Sequence, residues 1–211
     1  MTIDEKDLLN SILESLARID YIKPEELPNI DLYMDQVTTF MDAQLSVSKR
    51  RPEDKVLTKT MINNYAKNNL LPPPVKKKYS KEHLLALIFI YYFKNILSIG
   101  DIQAILNPVT ERYFASDSQP NLEDIYSEVF RLEEAEIRNL QKDITKKYHT
   151  SQQTFSDTSP EEKESLQHFA FICMLSFDVY IKKQLIEKLI DAKSVKHEKP
   201  AGKHSKAPEN N

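Results

Sequence analysis

Between Lys49 and Lys81 the chain carries ten basic side chains: Lys49, Arg50, Arg51, Lys55, Lys59, Lys67, Lys76, Lys77, Lys78 and Lys81. Only Glu53 and Asp54 oppose them, a net charge of +8 in a protein whose total is −3, so the remaining residues carry −11. A basic segment in an acidic body is the pattern expected where a polyanion is held at one place; a solvated charged loop is the plainer reading of the same charge. The uncharged residues within the segment suit the first reading. Lys59 and Thr60 can donate to phosphate oxygens, and Asn63 and Asn64 have the amide that pairs two-pronged with adenine. Tyr65 and Lys67 complete the run, although Tyr65, like Tyr79 and Tyr91, serves more readily as a core or rim aromatic than as a stacking platform. The contiguous Lys76, Lys77 and Lys78 add attraction that is independent of base sequence.

Other chemistry is thinly represented. The sequence has no nucleophile elbow, no glycine-rich phosphate loop, and no paired Cys or His set at metal-ligand spacing. Glu164 and His168 are four apart, but such a pair is more often a surface interaction than a metal site. Cys173, the single cysteine, lies beside Met174 in an apolar stretch with Phe177, where an inert buried thiol is expected. The expectation is a protein that is not an enzyme and uses no cofactor or metal.

The elements that must position the basic segment can be traced from periodicity. Gly100 and Gly202 are the only glycines, and hairpin turns usually draw on glycine, so an all-α chain is expected. Thr2 to Glu5 forms a capping-box pattern before Leu8, Leu9, Ile12, Leu13, Leu16 and Ile19 on one helical face. Asp31 is placed to cap a second helix reaching about Leu45, and Ser46 to Val56 reads as a loop. Thr58 caps a short helix with Met61, Ile62, Tyr65 and Ala66 inward, and Asn69 is placed to end it. Pro72, Pro73 and Pro74 exclude helix and central strand. Ser80 then opens a core helix, and Ser98 with Asp101 opens a short one that Pro108 follows. Leu122 to Tyr148 shows a stripe of Ile125, Val129, Leu132, Ile137, Leu140 and Ile144, followed by a polar linker, 150–159. Pro160 opens a last helix to about Asp191, whose apolar stretch Phe169 to Ile181 suits a packed core or dimer seam, or the lining of an effector cavity.

The order from the Asp31 helix to Leu106 is thus helix, turn, helix, basic turn, helix, helix. At Met61-Ile62-Asn63-Asn64-Tyr65 and Asn69-Leu70-Leu71-Pro72-Pro73 it resembles the recognition helix and wing entry of the MerR superfamily of bacterial regulators. Tyr79 to Leu84 and Leu97 to Ile102 are similar to that superfamily's helix pair after the wing. The whole also resembles an uncharacterised bacterial family, a domain of unknown function with such a core. Superfamily members usually have Arg where Asn63 stands, an aromatic at Asn64 and Gly at Asn69; here the first turn is longer and the wing shorter. The resemblance implies a winged helix-turn-helix module that binds double-stranded DNA and pairs through C-terminal helices.

The expected organisation is therefore an N-terminal helix (1–30), a DNA-binding module (31–108), a helical region for dimerisation or an effector (121–191) and a disordered tail (192–211). The expected DNA-contacting residues are Lys49, Arg50, Arg51, Lys59, Thr60, Asn63, Asn64, Tyr65, Lys67, Lys76, Lys77 and Lys78. The expected function is sequence-specific transcriptional regulation by a homodimer, with room for a small-molecule effector; a helical interaction module that no longer reads DNA is the alternative. Acidic residues interrupt the N-terminal apolar run, no apolar run reaches membrane length, and one cysteine suits a reducing compartment, so a cytoplasmic location away from membranes is expected.

Overall fold

A computed structural model describes residues 5–17, 22–115, 117 and 119–197. The elements are α1 (Glu5–Ala17), β1 (Leu32–Tyr33), α2 (Met34–Gln44), α3 (Lys59–Lys67), β2 (Lys78–Tyr79), α4 (Lys81–Phe93), α5 (Ile99–Tyr113), α6 (Leu122–Ser151) and α7 (Pro160–His197). The fold is mostly helical, as expected from composition. Residues 1–4, including most of the N-terminal capping pattern, and Ile19 lie outside the described residues, as does the tail from 198.

Helix α4 is the centre. Every residue from His83 to Tyr91 is buried, which a helix achieves only when neighbours cover its whole circumference. Val37 and Met41 of α2, Ile62 and Tyr65 of α3, Ile102 and Leu106 of α5, and Tyr126 and Phe130 of α6 belong to the same cluster. Truncating one of its fully buried leucines, such as Leu87, would cost about 2–5 kcal/mol.

A small sheet accompanies the helices. β1 pairs antiparallel with β2, Leu32 opposite Tyr79 and Tyr33 opposite Lys78. Val75 bridges Lys78 across a two-residue turn, with N–H to O bonds of 3.1 and 2.9 Å in the two directions. Lys76 and Lys77 occupy that turn at φ 51° and 66°. Two successive positive φ values mark the turn that fits strand twist best, and Asn-Gly normally supplies them. Scarcity of glycine therefore did not preclude a hairpin; lysine accepted the left-handed backbone instead.

Several boundaries also move. Tyr33, not Asp31, is the residue before α2, and its N–H donates to Gln36 Oε1 at 2.9 Å. Pro108 lies inside α5 rather than beyond it. Its missing N–H is the partner that the Ala104 carbonyl would use; both residues are exposed, so water can replace that bond. The buried row of α6 is Leu122, Tyr126 and Phe130, whereas Val129 and Leu132 of the expected stripe are exposed. The Phe89 ring decides this, drawing Tyr126 and Phe130 to centroid distances of 5.5 and 5.6 Å. Helix α7 continues through 192–197, part of the segment expected to be disordered.

The N-terminal half of α7 packs against the end of α6. Gln167 Nε2 donates to the carbonyls of Gln152 and Thr154 at 2.7 and 2.9 Å, and Phe171 meets Tyr148 edge-on at 5.5 Å. Further along, Ile190 is buried and Ile186 rests on the core. Yet Phe177, Ile181, Leu185 and Leu189, at successive i,i+4 positions, are each more than half exposed. Phe169 and Tyr180 are exposed too, and Cys173 is only half-buried, so the Phe169 to Ile181 stretch is not the core of a single chain.

Candidate nucleic-acid interface

Helix α3 has the caps that its sequence announced. Thr58 Oγ1 accepts from Met61 N–H at 3.2 Å. At the other end Leu70 N–H bonds Tyr65 O at 2.9 Å and Asn69 N–H bonds Ala66 O at 3.2 Å, with Asn69 at φ 55°. This is the paired bond pattern that closes a helix through a left-handed residue. Between the caps, Ile62 and Tyr65 are buried and Met61 and Ala66 half-buried, while Lys59, Thr60, Asn63, Asn64 and Lys67 are exposed. Their 3.6-residue spacing puts these five on one face. Tyr65 leaves the expected contact set: it is 7% exposed, and burial pushes its phenol above the usual range.

The other basic residues divide by what they touch. Lys76 and Lys77 are exposed at the hairpin tip, whereas Lys78 is half-buried with its ammonium 5.3 Å from the centre of the Tyr33 ring. Lys49 is held in the fold, its Nζ 2.7 Å from Asp42 Oδ2 and its side chain 13% exposed. The hydrogen bond from Lys49, more than the nearby charges, holds the Asp42 carboxyl below its ordinary value. Arg50 and Arg51 remain exposed, and neither has an ion pair among the described residues. Lys59 pairs with Asp35 at the surface, and Lys81 with Glu123 at 2.8 Å. Several charges in the +8 segment are thus matched inside the protein, and the free excess is concentrated at Arg50, Arg51, Lys55, Lys67 and the hairpin tip.

The long 46–57 connection is pinned to α4. Ser48 Oγ shares a hydrogen bond with the Tyr91 hydroxyl, and Lys94 Nζ donates to Val56 O at 2.9 Å. Burial lowers the affinity of Lys94 for its proton. An open cleft of ≈ 500 Å³ lies between α2 and the start of α3, bordered by Thr38, Thr39, Asp42, Lys55, Thr58 and Lys59. Of these, only Lys59 was an expected DNA contact, and Thr38, Thr39 and Asp42 were not singled out in the sequence at all. Threonine in the middle of an amphipathic helix carries no signal until the neighbouring element is placed beside it.

The basic hairpin is joined to the core through His83. Its Nδ1 accepts from Ser80 N–H at 2.9 Å, which leaves the proton on Nε2, facing Pro73 O at 3.4 Å. The ring lies edge-on to Tyr79 and Phe114 at 5.4 and 4.8 Å. Burial lowers its pKa, outweighing the opposing effects of Pro73, Glu82 and Asp31.

Glu164 and His168 are both exposed on α7, and among the described residues no three His, Cys, Asp or Glu side chains gather where they could hold a metal. An apolar groove of ≈ 480 Å³ lies between α5 and α7, at Ile105, Ile186, Leu189 and Ile190. Among the described residues no helix is long and apolar enough to cross a membrane.

The architecture is that of a mostly helical protein with a small basic hairpin. A family model described as Domain of unknown function (DUF1836) matches residues 22–129; that is just over half the chain, which therefore belongs to this family. No curated protein and no solved structure matches it.

Proposed function

We propose that this protein is a sequence-specific DNA-binding regulator of transcription, built on a MerR-like winged helix-turn-helix and acting as a homodimer in the bacterial cytoplasm. The observation that carries the reading is the solvent face of α3: Lys59, Thr60, Asn63, Asn64 and Lys67 are exposed together on a helix capped at both ends. A helix offering two amides between cations has what the major groove asks for. The element order supports it: α2, α3, the Lys76–Lys77 hairpin and α4 follow one another as helix, helix, wing, helix. Here α3 reads bases, while Lys67, Arg50, Arg51, Lys76 and Lys77 meet phosphates; Lys78 and Lys49 contribute less, since the fold already occupies them.

The test is fluorescence anisotropy with duplex DNA from the gene's own upstream region and with unrelated duplex, at two salt concentrations. Asn63→Ala with Asn64→Ala should erase the preference between duplexes, at about 1–3 kcal/mol for each two-pronged amide–base pairing removed, and leave the salt slope unchanged. Equal, weak binding to both duplexes by the wild-type protein would reject the reading. A second reading, a helical interaction protein that does not read DNA, is favoured by the exposed apolar row on α7. It expects salt-insensitive protein partners and no DNA signal.

A further inference from the structure

We propose that the cleft between α2 and α3 is a seat for the sugar–phosphate backbone, one that clamps a DNA strand beside the amide face of α3. The inference rests on the DNA-binding reading and adds three residues that were not among the expected DNA contacts: Thr39, Lys55 and Thr58.

The lining has the donors that a phosphodiester requires. Lys55 is exposed at the rim and has no ion pair among the described residues. Thr58 Oγ1 uses a lone pair to accept from Met61 N–H, so its own hydrogen remains to be donated. Thr38 is different: its hydroxyl already donates to Asp35 O at 3.0 Å, which leaves Thr39 as the exposed hydroxyl on the α2 wall. The carboxylate in the cleft does not repel an anion unopposed, because Lys49 Nζ sits 2.7 Å from Asp42. Lys59 belongs both to this cleft and to the α3 face. Its pairing with Asp35 joins side chains 61% and 74% exposed, a water-screened contact of small value that a phosphate can displace. At ≈ 500 Å³ and open to solvent, the cleft admits a run of backbone rather than a single small ion.

The cleft also accounts for the length of the 46–57 connection. The bonds from Lys94 to Val56 O and between Ser48 and Tyr91 fix the segment from which Lys55 projects, so less chain freedom is lost when a phosphate is bound.

The experiment pairs protein variants with a duplex in which one phosphate at a time is made a neutral methylphosphonate. Lys55→Gln and Thr39→Val are scored by anisotropy over a salt series, with thermal melts confirming unchanged folding. Lys55→Gln should lower the log–log salt slope by about 0.9, and Thr39→Val should weaken binding without changing the slope. One methylphosphonate position should weaken the wild type and leave Lys55→Gln unaffected, the coupling that defines a contact. If both variants bind as the wild type does while Lys76→Glu with Lys77→Glu still weakens binding, the cleft proposal is overturned and the DNA reading stands. If the wild-type protein binds no duplex, both fall.

Discussion

The hydroxyl of Tyr126 donates a 2.7 Å hydrogen bond to the carbonyl oxygen of Ile22, 104 residues earlier. Both residues are buried, and they lie near the two ends of the family segment, which the bond therefore closes upon itself. A fully buried phenol requires such a partner. Tyr126→Phe should keep the packing against Phe89 and Phe130 but strand the Ile22 carbonyl. A loss of about 1–3 kcal/mol is expected in denaturant unfolding, with the native circular dichroism retained. A loss within error would mean that the bond contributes nothing net.

His83 should make stability depend on pH. Its folded-state pKa is lowered by burial, so below about 6.5, the value of a free imidazole, the unfolded chain binds a proton that the folded one resists. The contribution is complete above pH 6.5 and is lost as pH falls from there through the depressed folded value. Protonated Nδ1 could no longer accept from Ser80 N–H. Stability measured from pH 8 to 5 should therefore decline more steeply for the wild type than for His83→Gln, and equal slopes would remove His83 as the cause. His83→Ala should cost about 2–4 kcal/mol, combining a cavity with the loss of the bond to Ser80 N–H.

At the hairpin tip, stability and binding should move in opposite directions. Lysine in the left-handed region costs about 1–2 kcal/mol, and Lys76 and Lys77 are both there. Replacing them with Asn and Gly should raise the melting temperature and lower the DNA salt slope by about 1.8. A stabilised variant with undiminished DNA affinity would show that the tip lysines do not meet phosphate.

The exposed α7 row should determine the oligomeric state. Phe177, Ile181, Leu185 and Leu189 are large apolar side chains facing solvent on one long helix, a feature that marks an interaction surface. Wild-type protein should sediment as a dimer, and Ile181→Glu with Leu185→Glu as a monomer with its helical content intact. A monomeric wild type at micromolar concentration would refute the homodimer.

Local chemistry made much of this protein legible from its sequence. Thr58 and Asn69 bracket α3, Ser98 and Asp101 cap each other as expected, and the apolar density from Leu84 to Tyr91 announces a central helix, because caps and periodicity act within a turn or two of chain. The exposed amides of α3 were legible for the same reason: the spacing of Ile62 and Tyr65 already fixes which side of α3 faces out. What the sequence could not determine depended on distant partners. Tyr126 and Phe130, rather than Val129 and Leu132, turn inward because Phe89 waits across the core. Lys49 is withdrawn from the surface because Asp42, one element away, neutralises it. Thr39 borders a cleft only once α2 and α3 are packed. Side-chain type sets what a residue can bond; burial and pairing, which tertiary structure alone assigns, decide whether that capacity remains free for a ligand.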